Sequence, residues 1–449
     1  MQLQTKNQKY TICLLVSVVS FFASALILRN GIRAWPDAWS YWEGSVSLIE
    51  THSYTYLSGS PIVYWPPLFS GFLACFQVIF SQTGYALVLA MSTCSGLAAF
   101  VWSLYVCIIF NEEGKINLSS AFLANMIFVP LFVPLCCLSL SSNSLNLFFL
   151  GLLFYVIADR SDNKASSNRF QNTIFLGLIL CACMLTHNSC VVFVMATVIA
   201  VLFLTNSAVS RRITDSILIL LVSIIPWILI RHHLGQTGSH QFVGGVLSVF
   251  DYIKQVPCSI GVFFVSTSSV LIQSLVGILI LAGLVLMLAQ RAQSAAEMRC
   301  RLCINLSLVV FGGFFVLVNL TLVPDGLGGR YIYYFPLAIA PLLFFRLKAN
   351  NSLVVVLIFL TVGVSGARIS QRIWRGSIPP LDNHMKNQST QMIHSEYFLT
   401  SKKDAPIPSG TIRIKPPVYS WGDHWFRNKP WTETAIWVEL IDTETNVFH

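Results

Sequence analysis

Charge is scarce in this chain. Only 10% of its 449 residues are Asp, Glu, Lys or Arg, against about 25% in ordinary soluble domains. That shortage excludes a soluble enzyme, whose surface needs far more charge to stay in solution. Disorder is excluded from the other side, because 55% of the residues are hydrophobic and a disordered chain is poor in them. Internal repeats and low-complexity tracts are also missing. Cysteine is not missing, but it is in the wrong places for disulfides. Of 12 Cys, nine lie in apolar runs, where they serve as small packing residues. Cys300 and Cys303 have a C-x-x-C spacing but neither a second pair nor a nearby His. Cys258 alone is expected outside, so no disulfide framework is visible. A polytopic, all-α membrane protein remains. Its net charge of +9 is spread between apolar runs and not gathered in one patch, which argues for membrane topology and against a nucleic-acid partner.

Eleven apolar runs read as transmembrane helices: 11–28, 84–110, 118–138, 143–158, 172–187, 189–205, 214–230, 265–289, 302–322, 331–345 and 351–366. Lys6 and Lys9 precede the first run, as in a secretory signal, but no small-x-small cleavage site follows Leu28. An uncleaved span is therefore expected. A twelfth run, 67–80, follows Pro66-Pro67 and is too short to span; it reads as an interfacial helix. With the N-terminus cytoplasmic and the long tail after 366 left aside, thirteen Lys and Arg fall in inner segments and five (Arg29, Arg33, Arg231, Lys254, Arg330) in outer loops. This bias sets the orientation and puts the C-terminus outside. Counting 67–80 as a span would reverse the bias. The expected organisation is a membrane domain over 1–366, with a first extracytoplasmic loop at 29–83, and an extracytoplasmic tail or small domain over 367–449. A bacterial inner membrane is the expected location, with membrane lipids as partners.

Chemistry is sought among the few outer charges. Asp37 sits in Trp35-Pro36-Asp37-Ala38-Trp39-Ser40-Tyr41-Trp42, just after the first span. One reading is an exposed acid within an interfacial aromatic belt. The other is a general base at the mouth of a membrane cavity. A helix is expected from Ala38 to Glu50, and then comes Tyr64-Trp65-Pro66-Pro67-Leu68, where two prolines stiffen the entry to the interfacial helix. Further along, Ser141-Ser142-Asn143-Ser144 opens the fourth span, Leu185-Thr186-His187-Asn188 closes the fifth, and Pro226-Trp227-Ile228-Leu229-Ile230-Arg231-His232-His233 closes the seventh. Asp325-Gly326-Leu327-Gly328-Gly329-Arg330-Tyr331 precedes a span with Pro336 and Pro341.

This order resembles the C-type glycosyltransferases that use polyprenyl-phosphate sugars, in the branch of protein O-mannosyltransferases and lipid A aminoarabinose transferases. The resemblance covers about residues 10–345. It implies a bundle of about 11 transmembrane helices that transfers a sugar from a polyprenyl-phosphate-linked donor to a glycan, lipid or protein acceptor outside. By resemblance Asp37 is the base, and attack opposite the phosphate inverts the anomeric carbon. Arg330, Tyr331, Arg231 and His187 would meet the donor phosphate. Tyr41, Tyr64, Trp65, Asn143 and His232 would line the substrate cavity. The chain departs from the family at Asn143, where many members carry a second acid; Asn143 reads either as a helix N-cap or as a group positioning a hydroxyl. His187 stands where relatives carry Lys or Arg. Arg231 reads equally as an interfacial cation that snorkels.

No cofactor is expected. His232-His233 with His240 is a poor metal set, since adjacent His side chains point apart in regular structure. The competing reading is a non-catalytic, transport or polymerase-type protein that handles lipid-linked sugars. A transporter should carry paired repeats with broken helices and ionisable groups deep in its spans, and neither pattern is visible.

Overall fold

The computed structural model describes residues 2–29, 32–34, 36–56, 59–63, 65–80, 84–112, 115–116, 118–137, 139–160, 169–204, 208–235, 256–258, 260–261, 270–289, 295–321, 334–347, 363, 365–371, 373–374, 412–415 and 437–440. Twelve helices carry the fold among them: α1 (Gln2–Leu28), α2 (Pro36–Glu50), α3 (Pro67–Phe80), α4 (Gly84–Ile109), α5 (Leu118–Cys136), α6 (Ser142–Arg160), α7 (Arg169–Thr186), α8 (Val191–Leu204), α9 (Val209–His233), α10 (Val270–Ala289), α11 (Ala295–Thr321) and α12 (Phe335–Leu347). Ten of the eleven apolar runs are therefore helical; most of 351–366 lies outside the described residues. Among the described residues four helices, Asn7–Leu28, Ala86–Ile109, Ser142–Asp159 and Val209–His233, are long and apolar enough to cross a membrane. The chain is an all-α polytopic bundle, with a few short strand pairs besides.

Packing fixes which ends of the helices lie together. Ser17 Oγ donates to Gly96 O (2.8 Å) and Ser95 Oγ to Ser20 O (3.2 Å), so α1 and α4 run antiparallel. Small side chains let membrane helices approach this closely. Trp102 Nε1 of α4 donates to Leu147 O of α6 (3.0 Å), and Tyr105 meets Phe154 at 5.9 Å, so α4 and α6 run parallel. Thr173 of α7 reaches Asp215 of α9 (3.4 Å), while Gly177 faces Val222, so that pair is parallel too. An aromatic chain fills the main core: Trp102 against Phe154 (5.3 Å), Phe154 against Tyr334 (5.7 Å) and Tyr334 against Phe193 (5.2 Å). Such ring contacts add to simple area burial. Tyr105 O–H donates to Ala338 O (3.0 Å), in the turn where Pro341 cannot donate.

A second, smaller apolar cluster lies at one end of the bundle. Leu28, Ala38, Tyr41, Phe69, Leu73, Ala90, Met91, Cys94, Cys137, Leu140 and Leu145 belong to it. The end of α1, the start of α4, the end of α5 and the start of α6 therefore share one end. The segment between α1 and α4 leaves and returns there, so α3 makes no net crossing. Its 14 residues rise only about 21 Å, short of roughly 30 Å of hydrocarbon. It packs along α2 instead, where Gln77 Nε2 donates to Ser45 Oγ (2.9 Å). Tyr54 closes the hairpin between the two helices. Its hydroxyl donates to Trp65 O (3.0 Å) and Pro66 O (3.3 Å), and burial pushes its phenol well above the usual range. Gly44 makes room for this; a Cβ there would stand 2.6 Å from the Tyr54 ring.

The described strands before the tail are β1 (Arg33–Ala34), β2 (Asn111–Glu112), β3 (Lys115–Ile116) and β4 (Ser139–Leu140); in the expected tail β5 (Ile412–Lys415) pairs antiparallel with β6 (Trp437–Leu440). Pair β2–β3 turns the chain between α4 and α5.

Candidate functional site

The site is built on a parallel pairing that joins distant parts of the chain. Strand β1 pairs with β4 in the register Arg33↔Ser139 and Ala34↔Leu140. Each strand feeds a helix two residues on, at Pro36 and at Ser142. The two helices therefore start side by side, and Asp37 and Asn143 occupy the same second position in them. Pro36 suits the first helical position because it has no N–H to leave unsatisfied. The backbone of Asp37 is described; its side chain lies outside the described residues.

Tyr41 locks the two helix starts together. Its hydroxyl donates to Ser142 Oγ (3.0 Å), and its ring meets Trp65 at 5.7 Å and Phe69 at 5.1 Å. At 1% exposure it is part of the small apolar cluster, so this residue, expected to line a cavity, is buried as a cross-brace. Tyr41→Phe should keep the ring contacts and lose the hydroxyl's bond to Ser142. A loss of about 1 kcal/mol is expected, visible as a lower unfolding temperature in detergent with insertion unchanged.

Asn143 is not the N-cap of α6. Ser141 is: its Oγ accepts from the Asn143 N–H (3.3 Å). The half-buried Asn143 side chain has no capping duty. One turn on, Asn146 Nδ2 donates to Cys190 Sγ (3.1 Å) and ties α6 to the short 3-10 turn Asn188–Cys190 after α7. His187 caps that turn. Its Nδ1 accepts from the Ser189 N–H (3.3 Å) and lies 2.7 Å from Ser189 Oγ, which leaves the proton of the neutral ring on Nε2. Because α7 and α9 are parallel, the end of α9 reaches the same end of the bundle. There the Arg231 guanidinium lies over the Trp227 ring at 5.0 Å, a cation–π contact of the kind Arg favours. His232 beside it is exposed.

Four expected site positions are thus gathered at one end: Asp37 by its backbone, Asn143, His187 and Arg231. Trp65 is there as well, half-buried against Tyr41. Tyr64, Arg330 and Tyr331 lie outside the described residues. Asn146 was not singled out from sequence; its place one turn beyond Asn143 on the same helix was the available signal. Among the described residues no group of three or more His, Cys, Asp and Glu could hold a metal. Cys300 and Cys303 are buried in the main core, far along the chain from these helix ends.

A polytopic bundle whose first long loop folds back through a short helix has solved counterparts of similar fold. Specifically, the chain is similar to the archaeal oligosaccharyltransferase AglB from Archaeoglobus fulgidus, solved with an inhibitory peptide and a dolichol-phosphate (TM-score 0.51, 12% identity over 90% of this chain). It spans 61% of that protein's length. ArnT from Cupriavidus metallidurans, solved with undecaprenyl phosphate, is also similar (TM-score 0.47, 12% identity, 81% of this chain and 76% of ArnT). No family model and no curated protein matches the sequence.

Proposed function

We propose that the protein is a membrane glycosyltransferase that moves a sugar from a polyprenyl-phosphate carrier to an acceptor on the extracytoplasmic side. The observation that carries this reading is the convergence of Asp37, Asn143, His187 and Arg231 at one end of the bundle. The fold likeness to AglB supports it, since that protein was solved with a lipid phosphate.

In this reading the Asp37 carboxylate takes the proton of an acceptor hydroxyl or amide. The acceptor attacks the anomeric carbon from the face opposite the phosphate. The bond from that carbon to the phosphate oxygen breaks, the configuration inverts, and polyprenyl phosphate leaves with the electron pair. Arg231, stacked on Trp227, and His187 meet the phosphate charge together with Arg330 and Tyr331; a guanidinium suits a phosphate because two N–H groups match two oxygens. Asn143, Tyr64, Trp65 and His232 border the sugar and acceptor, while Tyr41 holds the helix starts in register. The N-terminus is cytoplasmic and the membrane is a bacterial inner membrane.

The test is mass spectrometry of extracytoplasmic glycans, glycolipids and glycoproteins from cells with and without the gene. One sugar should vanish from one class of conjugate and return with the wild-type gene. Identical profiles in both strains would sink the transferase reading.

A further inference from the structure

We propose that Ser189 is a positioning residue: it fixes the His187 ring so that the ring presents a neutral Nε2–H, and not a positive charge, to the carrier phosphate. The main chain of His187 is held on both sides. Its N–H donates to Cys183 O (2.8 Å), and its carbonyl accepts from the Cys190 N–H (2.9 Å). Only the two side-chain torsions are left to set, and Ser189 sets them. The Ser189 N–H donates to Nδ1 (3.3 Å), so Nδ1 carries no proton. The Ser189 hydroxyl, 2.7 Å from the same nitrogen, is therefore a donor as well. With Nδ1 taken up as an acceptor, the ring proton sits on Nε2. The N–H bond is long and the hydroxyl bond short, so the serine side chain supplies the tighter hold. The two ring nitrogens face apart, and anchoring Nδ1 in the turn directs Nε2 away from it.

The turn that carries this pair is itself anchored. Asn146 Nδ2 donates to Cys190 Sγ (3.1 Å), which ties the turn to α6 one helical turn past Asn143. The ring is thereby referenced to the helix start that stands beside the start of α2. Charging the ring needs a proton on Nδ1, where the Ser189 N–H would lose its acceptor. A backbone N–H without an acceptor costs free energy, so the cap favours the neutral ring. The titratable groups around it are the Cys183 and Cys190 thiols, with Arg231 at the same end of the bundle. Positive charge thus comes from Arg231, stacked on Trp227, and His187 adds a directed N–H. The contact with the carrier phosphate rests on the transferase reading; the state of the ring does not.

Solid-state NMR of the full-length protein in lipid vesicles, with nitrogen-15 in its histidine rings, tests this; His187→Gln identifies the His187 signals by their loss. Wild type should show one neutral tautomer, with the proton on Nε2. Farnesyl phosphate should shift the Nε2 signal and leave Nδ1 unprotonated, whereas a cationic contact would charge the ring. Ser189→Ala should show a mixture of tautomers, and Ser189→Thr, which keeps the hydroxyl, should resemble wild type. In initial rates Ser189→Ala should lower kcat/KM for the lipid-linked sugar about ten-fold, the scale of one charge-assisted hydrogen bond, with the acceptor KM within about two-fold. Ser189→Thr should recover most of that loss. A proton on Nδ1 in wild type, with or without farnesyl phosphate, would overturn the proposal, as would an Nε2 signal indifferent to that phosphate. Wild-type tautomers or wild-type rates in Ser189→Ala would overturn it too. If Ser189→Ala does not fold, the wild-type spectra decide. A wild-type protein without transferase activity would remove the transferase reading, while the tautomer comparison would still decide the role of Ser189.

Discussion

Asp37→Asn should lower sugar transfer by about 10²–10⁴-fold, the usual contribution of a positioned base, with little change in the thermal unfolding of the protein. The two effects separate because of where Asp37 sits. It is the second residue of α2, in a turn begun by Pro36 and held by the β1–β4 register and the Tyr41–Ser142 bond. None of these uses its carboxylate. Asn has nearly the same shape and still accepts hydrogen bonds from a helix start, but its amide does not take a proton. The variant should bind donor and acceptor and fail to deprotonate the acceptor. Its kcat should fall while KM moves little, since the lost interaction forms only in the transition state. Initial rates with a polyprenyl-phosphate sugar, measured on the preparation used for thermal unfolding, make the comparison. Near-normal turnover by the Asn variant would remove Asp37 as the base.

The parts of this fold that were legible in sequence are those set by local rules. Helix α3 begins at Pro67 and ends at Phe80 as its apolar run and prolines foretell. Its failure to cross was legible too, because charge bias on short loops is a count over the whole chain. The illegible parts depend on contacts across long separations. Strands β1 and β4 have two residues each, too few to show an alternating pattern. Yet their register places Asp37 beside Asn143. In the run Ser141-Ser142-Asn143, every residue is a good N-cap, so only the hydrogen bond reveals that Ser141 does the work. Tyr41 looks the same in sequence whether it lines a cavity or braces two helices. The ends of α7 and α9 were readable as ends; that they meet comes from the parallel packing of Gly177 against Val222.

Gly151→Leu should damage the packing of α4 against α6 severely. Gly151 of α6 faces Val101 and Trp102 of α4. A Cβ there would stand 2.5 Å from Val101 Cγ2 and 3.1 Å from Trp102 Cδ1 and Nε1. Neither neighbour yields easily. Val101 is β-branched and held to few rotamers in a helix. Trp102 is fully buried, sits within the aromatic core and donates to Leu147 O. Ala alone forces a shift, and the rest of a Leu side chain has no room, so the helices must part. Overpacking of this kind costs about 1–3 kcal/mol and sometimes more, and here it also strains the Trp102 bond. Gly71→Ala is the matched control, since no atom lies within 4 Å of a Cβ at that position. Unfolding in detergent should show a large drop for Gly151→Leu, a smaller one for Gly151→Ala and none for Gly71→Ala. Activity should fall in the same order. The start of α6 bears Ser142 and Asn143, and a bundle wedged open at Gly151 tilts them away from Tyr41 and the start of α2. Wild-type stability in Gly151→Leu would mean that α4 and α6 do not approach there, and the parallel register that sets Asn143 beside Asp37 would lose one of its supports.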